Sequence, residues 1–121
     1  MLLVAKKGGK IRFCINYGKL IEATKKDTYP LPCMDEILSQ LGAAKFFSMM
    51  DLTDAFWSIP VREEDIEKTA FITHVGLWEF ASMPFGLCNA PTTQQRFMES
   101  IFTDLMTKCC FVYIDNILIY S

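Results

Sequence analysis

Two aspartates are the first candidates for chemistry. Asp51 lies near the end of the apolar run KFFSMMDL (45–52), and Asp115 interrupts the apolar stretch CCFVYIDNILIYS (109–121). A carboxylate attached to an otherwise buried strand carries a desolvation penalty unless a cation compensates it. If the two strands lie side by side, the carboxylates converge, and hard oxygen donors with room for water suit magnesium or manganese. The residues alone leave a second arrangement open, in which Asp115 only helps to make a hairpin turn and Asp51 caps a loop.

The elements that must carry these residues can be read from the pattern along the chain. KIRFCINY (10–17) alternates loosely and is rich in β-formers, which predicts a strand after the Gly8-Gly9 turn. Pro32 can open a helix of about ten residues, with Ile37, Leu38 and Leu41 on one face and Gly42 at the C-terminal cap. Residues 45–52 then read as a buried strand, and Ile59 to Val61 begins another. The acidic segment around Glu63 to Lys68 turns the chain, so that Thr69 to His74 pairs across Gly76 with Leu77 to Met83. The loop PFGLCNAP (84–91) leads into a helix that Asn89 caps, with Phe97, Ile101 and Leu105 recurring every fourth residue. Gln94, Gln95 and Glu99 fall on its other face. The last stretch reads as two short strands joined at Asp115-Asn116.

A chain of 121 residues has room for one domain, and with 51% apolar and 13% aromatic residues it has enough hydrophobic surface to exclude disorder. No apolar run reaches the roughly 18 residues that span a bilayer, and the opening MLLVAKKGGK is too short in apolar residues for a signal peptide, so no membrane association is expected and an intracellular setting is. Cys14, Cys33, Cys88, Cys109 and Cys110 form no CxxC pair of the kind that holds zinc and read as small buried apolar groups in a reducing compartment. The net charge of -2 conceals an asymmetry. Residues 1–26 hold seven basic side chains (Lys6, Lys7, Lys10, Arg12, Lys19, Lys25, Lys26) against Glu22 alone, whereas the remainder has five basic and thirteen acidic groups. One end therefore suits phosphates and the other suits cations, although a solvated lysine-rich edge has the same composition. His74 reads as a solvated turn residue, and the acidic cluster Glu63, Glu64, Asp65 and Glu67 as a solvated turn.

Three blocks, SMMDLTDAFWSIPV, MPFGLCNAPTTQQRFM and FVYIDNILIYS, resemble in order and spacing the signature blocks of reverse transcriptases from gypsy-type long-terminal-repeat retrotransposons. KGGKIRFCINYGKL, DTYPLP and REEDIEKTAF are similar to the family's fingers and connecting segments, so the resemblance covers nearly the whole chain. Phe85 in MPFGL, where retroviral relatives have glutamine, favours the gypsy-type branch. The resemblance implies an α+β fold: a polymerase palm-type antiparallel sheet with helices on one face, plus part of the fingers. Residues 1–44 and 59–83 would be fingers-like, and 45–58 and 84–121 palm-like. Both ends look cut, with the family's thumb, connection and ribonuclease H segments absent.

Carried over residue by residue, the resemblance implies that Asp51 and Asp115 are catalytic and bind two Mg2+ ions, or Mn2+, with the Leu52 carbonyl and Asn116 as further metal ligands. Arg12 and Lys7, with Lys6 beside them, would meet the nucleotide's phosphates, and Phe56 would be the steric gate that rejects a 2′-hydroxyl. Asp54, Ala55, Phe85 and Gly86 would line the nucleotide site, while Lys10, Gln94 and Tyr113 would touch nucleic acid. The implied partners are an RNA or DNA template with its primer, deoxynucleoside triphosphates, and C-terminal domains of the same polyprotein. The implied setting is a cytoplasmic virus-like particle or the nucleus. Three positions depart from the family pattern: Asn116 replaces the second of two adjacent aspartates, and Asn16 and Gly18 stand where aspartate and arginine are usual. A second reading is therefore a degenerate, catalytically inactive relic that retains at most nucleic-acid binding. A metal-dependent phosphohydrolase would use the same carboxylates, but the sequence offers it no general base.

Overall fold

A computed structural model describes residues 2–5, 9, 11–106 and 108–121. In chain order the elements are β1 (Leu2–Ala5), β2 (Ile11–Cys14), α1 (Gly18–Ala23), α2 (Met34–Gln40), β3 (Phe47–Asp51), β4 (Phe71–Thr73), β5 (Gly76–Trp78), α3 (Ala90–Phe102), β6 (Cys110–Tyr113) and β7 (Asn116–Tyr120). Short 3₁₀ turns occupy Leu41–Ala43, Ala55–Ser58 and Glu63–Thr69. All the strand pairings are antiparallel, which makes the fold α+β, as expected. The chain forms two compact units, one from 1–26 with 56–90 and the other from 27–55 with 91–121.

In the first unit β1 pairs with β2, Val4 opposite Arg12, and β4 pairs with β5, Phe71 opposite Trp78. Its interior is aromatic. Phe71 stacks on Phe80 at 5.1 Å and meets Phe13 at 5.5 Å, and Trp57 lies 5.4 Å from Phe80. Buried Tyr17 donates its hydroxyl to the Thr69 carbonyl at 3.0 Å, and the Thr69 hydroxyl accepts the Phe80 N–H at 2.8 Å. The hairpin expected over 69–83 is present but shorter. The strand expected to begin at Ile59–Val61 is instead a single bridge, Pro60 opposite Ser82, flanked by Val61 N–H to Ala81 and Met83 N–H to Ile59. Pro60 has no N–H to continue a ladder, so pairing stops there.

In the second unit the sheet order is β3-β7-β6. Met98 of α3 packs with Cys110, Val112 and Ile117, and Leu52, Phe102 and Met106 close over them. Two expectations are corrected. The apolar strand β3 is not buried: all five residues are exposed, Met49 by 74%, because the buried cluster forms on β6, β7 and α3 and takes in no residue of β3, although β6 is an outer strand too. The packing face of α3 is also not the apolar stripe, for Ile101 is 56% and Leu105 48% exposed, while Gln94 and Gln95 are at 0%. In α2 only Ile37 is buried and Leu38 is exposed, and Leu41 rather than Gly42 forms its C-cap. Among the described residues no helix is long and apolar enough to cross a membrane.

Candidate active site

The second unit brings Asp51, Leu52, Asp115 and Asn116 to one end of one sheet. In the ladder between β3 and β7, Asp51 stands directly opposite Asn116. Immediately beyond, the Leu52 N–H donates to the Asp115 carbonyl at 2.8 Å, pinning the β6–β7 turn to the end of β3. Directly opposed residues of an antiparallel pair have Cα atoms roughly 4.5 to 5.5 Å apart, so their side chains share a face. Asp51 is exposed and Asp115 and Asn116 are half-buried. Leu52 roots the site by packing against the buried cluster of Met98, Cys110, Val112 and Ile117.

The hairpin turns one residue earlier than the sequence predicts. Tyr113 pairs with Asn116, so the two loop residues are Ile114 and Asp115, and Asn116 opens β7. Ile114 has φ +55, a left-handed conformation rare for a β-branched residue and normally supplied by glycine at this position. The shift matters because it leaves the Asp115 side chain on the turn while Asn116 meets Asp51. The Asn116 amide nitrogen donates to Asp115 Oδ1 at 3.0 Å.

Two carboxylates, a side-chain amide oxygen and the nearby Leu52 carbonyl are all hard oxygen donors of the type that Mg2+ or Mn2+ prefers. Among the described residues no group of three or more His, Cys, Asp and Glu side chains is arranged to hold an ion. The donor set therefore fits a divalent cation whose remaining positions are left to water or phosphate oxygens.

The remaining candidates sort by unit. In the first, the Arg12 guanidinium lies over the Phe85 ring at 4.4 Å, and Phe56 meets the same ring at 5.3 Å. Trp57 contacts its edge at 5.7 Å. Arg12 Nε is buried without a hydrogen-bond partner, so the stack takes the place of a polar contact there. Gly86 follows at φ +100, where an added Cβ would come within 3.1 Å of the Ile15 carbonyl. Arg12, Phe56, Phe85 and Gly86 are thus gathered together. Lys6, Lys7 and Lys10 lie outside the described residues.

In the second unit Asp54 is exposed at φ +55, a conformation aspartate tolerates better than most residues, and Ala55 is buried at the start of a 3₁₀ turn. Tyr113 is half-buried at the end of β6. Gln94, expected to touch nucleic acid, is fully enclosed with neither amide atom hydrogen-bonded, so it offers no surface to a ligand. Asp27, Tyr29, Arg96 and Glu99 were not singled out from sequence as site residues. They join Gln95 in a hydrogen-bonded network beneath the Asp115 turn, of which the i, i+4 spacing of Gln95 and Glu99 was the one visible trace.

Residues 4–121 match the family of reverse transcriptases (RNA-dependent DNA polymerases), and the chain belongs to that family. It is 49% identical over 117 residues to the retrovirus-related Pol polyprotein from transposon 297 of Drosophila melanogaster, covering 97% of this chain and 11% of that polyprotein. The Pol polyprotein from transposon gypsy of the same organism is 41% identical over 110 residues, 91% of this chain and again 11% of the relative, which bears out the gypsy-type resemblance. An RNA-directed DNA polymerase homolog of Oenothera berteroana is 33% identical over 111 residues and is covered to 78% of its length. The fold is shared with the foamy viral protease-reverse transcriptase in complex with double-stranded DNA: TM-score 0.87, 23% identity, 98% of this chain and 21% of that one. It is shared also with the same enzyme in complex with an RNA/DNA hybrid, at TM-score 0.82, 20% identity, 98% and 16%.

Proposed function

We propose that this chain is the fingers-and-palm part of an RNA-directed DNA polymerase that adds deoxynucleotides to a primer 3′-hydroxyl for retrotransposon replication. The observation that carries the reading is the ladder that sets Asp51 opposite Asn116, with Leu52 bonded to Asp115, in a chain of the reverse transcriptase family. Asp51 and Asp115 would hold two Mg2+ ions, or Mn2+, with help from the Leu52 carbonyl and the Asn116 side-chain oxygen. Bound there, the ions supply positive charge that activates the primer hydroxyl and offsets the charge of the departing pyrophosphate.

The chain's own residues do the rest. The Leu52–Asp115 backbone bond holds the two carboxylates in a fixed relation, which lowers the reorganisation needed when charge develops. Arg12, with its guanidinium face on Phe85, keeps N–H groups for triphosphate oxygens, and Lys7 would add charge to the same phosphates, as the family pattern implies. Phe56 braced on Phe85 is a rigid ring suited to excluding a 2′-hydroxyl. Asp54, Ala55 and Gly86 would complete the nucleotide site, and Lys10 and Tyr113 would contact the template-primer. Residues 1–44 and 59–83 would act as fingers and 45–58 and 84–121 as palm, within an intracellular polyprotein whose C-terminal segments grip the duplex.

One observation favours a second reading, an inactive relic: Asn116 brings no charge, and its amide nitrogen occupies Asp115 Oδ1. The test is primer extension by the whole polyprotein carrying this chain, with Mn2+ binding measured in parallel. Extension that is lost in Asp51→Asn and Asp115→Asn, with Mn2+ binding weakened at least tenfold, is expected for ligands that hold the ion directly. Extension surviving either substitution would remove the catalytic assignment. Extension absent in the parent and restored by Asn116→Asp would establish the relic.

A further inference from the structure

Among the described residues β7 is the one strand beside β6; on its other edge Cys110 makes only an isolated bridge to Met106, and Gln95 of α3 meets it further along. Such an edge presents main-chain groups that must find partners when buried. Two of them flank Tyr113: the Val112 carbonyl before it and the Ile114 N–H after it. Both are taken by one side chain. Gln95 accepts the Ile114 N–H with Oε1 at 2.6 Å and donates Nε2 to the Val112 carbonyl at 2.9 Å. Donating to the residue before and accepting from the residue after is what one residue of a parallel strand does beside its partner. The Gln95 amide thus stands in for a single strand residue alongside β6.

It does so where the chain is strained. Ile114 is held at φ +55, and a β-branched side chain leaves that conformation unless its surroundings over-determine it. The Gln95–Ile114 bond fixes this residue, and the next one is Asp115.

The amide has two orientations, and only one serves. Glu99, one helical turn on, accepts the second Nε2 hydrogen at 2.7 Å. Accepting there, Glu99 favours the nitrogen on its side and adds to the orientation that the Val112 carbonyl and the Ile114 N–H already require. Glu99 is held in turn by the Tyr29 hydroxyl on Oε2, a bond that pushes the Tyr29 phenol above its ordinary range. The Tyr29 ring carries the Arg96 guanidinium at 4.6 Å, and Arg96 pairs with Asp27 at 2.7 Å. Every member of this chain of contacts belongs to the second unit.

We propose that Gln95 is a positioning residue for the turn that carries Asp115, and that Glu99, anchored by Tyr29, reinforces the orientation of the Gln95 amide. The assignment rests on the reading of Asp115 as a metal-holding carboxylate, so its test has two independent readouts on the full chain. Hydrogen exchange at the Ile114 amide reports the clamp, and binding of Mn2+ alone reports the carboxylates. Gln95→Met keeps the length and burial but deletes both main-chain bonds, whereas Glu99→Gln removes only the orienting acceptor.

Gln95→Met is expected to speed Ile114 exchange at least tenfold and to weaken Mn2+ binding about tenfold, in the range found when groups behind a metal ligand are removed. Glu99→Gln should shift both in the same direction by less, and it carries the test if Gln95→Met does not fold. Ile114→Gly, which accepts the left-handed turn without a clamp, should return most of the Mn2+ affinity to Gln95→Met. A glutamine that merely fills space would gain nothing from that glycine. Unchanged Ile114 exchange in Gln95→Met, or no recovery on adding Ile114→Gly, overturns the positioning role. If Asp51→Asn and Asp115→Asn leave Mn2+ binding intact while Gln95→Met still speeds exchange, the clamp stands and the metal reading falls.

Discussion

Replacing Asn116 by aspartate tests the site through stability, without any need for catalysis. Position 116 faces Asp51 across the ladder and adjoins Asp115, so Asn116→Asp creates two new like-charge pairs. At about 5 Å each pair costs roughly 1 kcal/mol in a water-like dielectric and about 3 kcal/mol at an effective dielectric of 20. Asp51 is exposed, which puts the sum near the low end, at about 2 kcal/mol. The amide hydrogen bond to Asp115 Oδ1 is lost as well. A bond to a charged group at a half-exposed position adds about 1 kcal/mol, so the variant should be about 3 kcal/mol less stable in chelator at neutral pH. Mn2+ reverses the argument, because the third carboxylate is now a ligand. A tenfold gain in affinity corresponds to about 1.4 kcal/mol, and saturating Mn2+ should recover at least that much relative to the parent. Urea unfolding of both chains in chelator and in Mn2+ measures all four values. A variant as stable as the parent in chelator would show that residue 116 does not face the carboxylates, and a gap that Mn2+ leaves untouched would show that the cluster holds no ion.

Two further outcomes follow from the first unit. Gly86→Ala should cost about 1 to 3 kcal/mol in urea unfolding, because the residue sits at φ +100 and its new methyl meets the Ile15 carbonyl at 3.1 Å; an unchanged midpoint would mean that the turn relaxes freely. The Tyr17 hydroxyl is pushed up to about 12 by burial, from 10.0, so the folded state favours the neutral phenol; its contribution is complete below pH 10 and is lost as pH rises through 12. Tyr17→Phe should cost about 1 to 2 kcal/mol at neutral pH by orphaning the Thr69 carbonyl, and should delete a tyrosinate absorbance step near pH 12.

Much of the site was legible because the signals were local. The two aspartates do reach one end of one sheet, although the desolvation argument fails for Asp51, which is exposed on an exposed strand. The strand pairs of 71–78 and 110–120 were readable from alternation interrupted by turn residues. The turn position was misjudged because Asp-Asn is good turn chemistry and Ile-Asp is not. Local preference was overridden by a partner nineteen residues upstream, Gln95, whose amide holds Ile114 in place. The burial of β3 was misjudged for a related reason, since periodicity records that a strand is apolar and is silent about whether any element covers it. Strand β1 and helix α1, four and six residues long, are too short for any period to register.

The inversion of α3 has the same origin and says more about the molecule. Side-chain hydropathy describes how residues partition from water, and on that basis Phe97, Ile101 and Leu105 should have faced inward. The demand that prevailed came from the main chain, because the Val112 carbonyl and the Ile114 N–H on the outer edge of β6 must be satisfied where α3 meets it. An apolar face could not have met it. Gln95 can, at the expense of leaving Ile101 and Leu105 in contact with solvent and Gln94 buried with its amide unpartnered. A buried polar group without a partner costs about 1 to 3 kcal/mol, so the helix keeps Met98 and Phe102 on its packing face but leaves Ile101 exposed and Gln94 unsatisfied. What that orientation secures is the geometry of two residues, Ile114 and Asp115, at the one turn where the proposed chemistry needs a carboxylate held still.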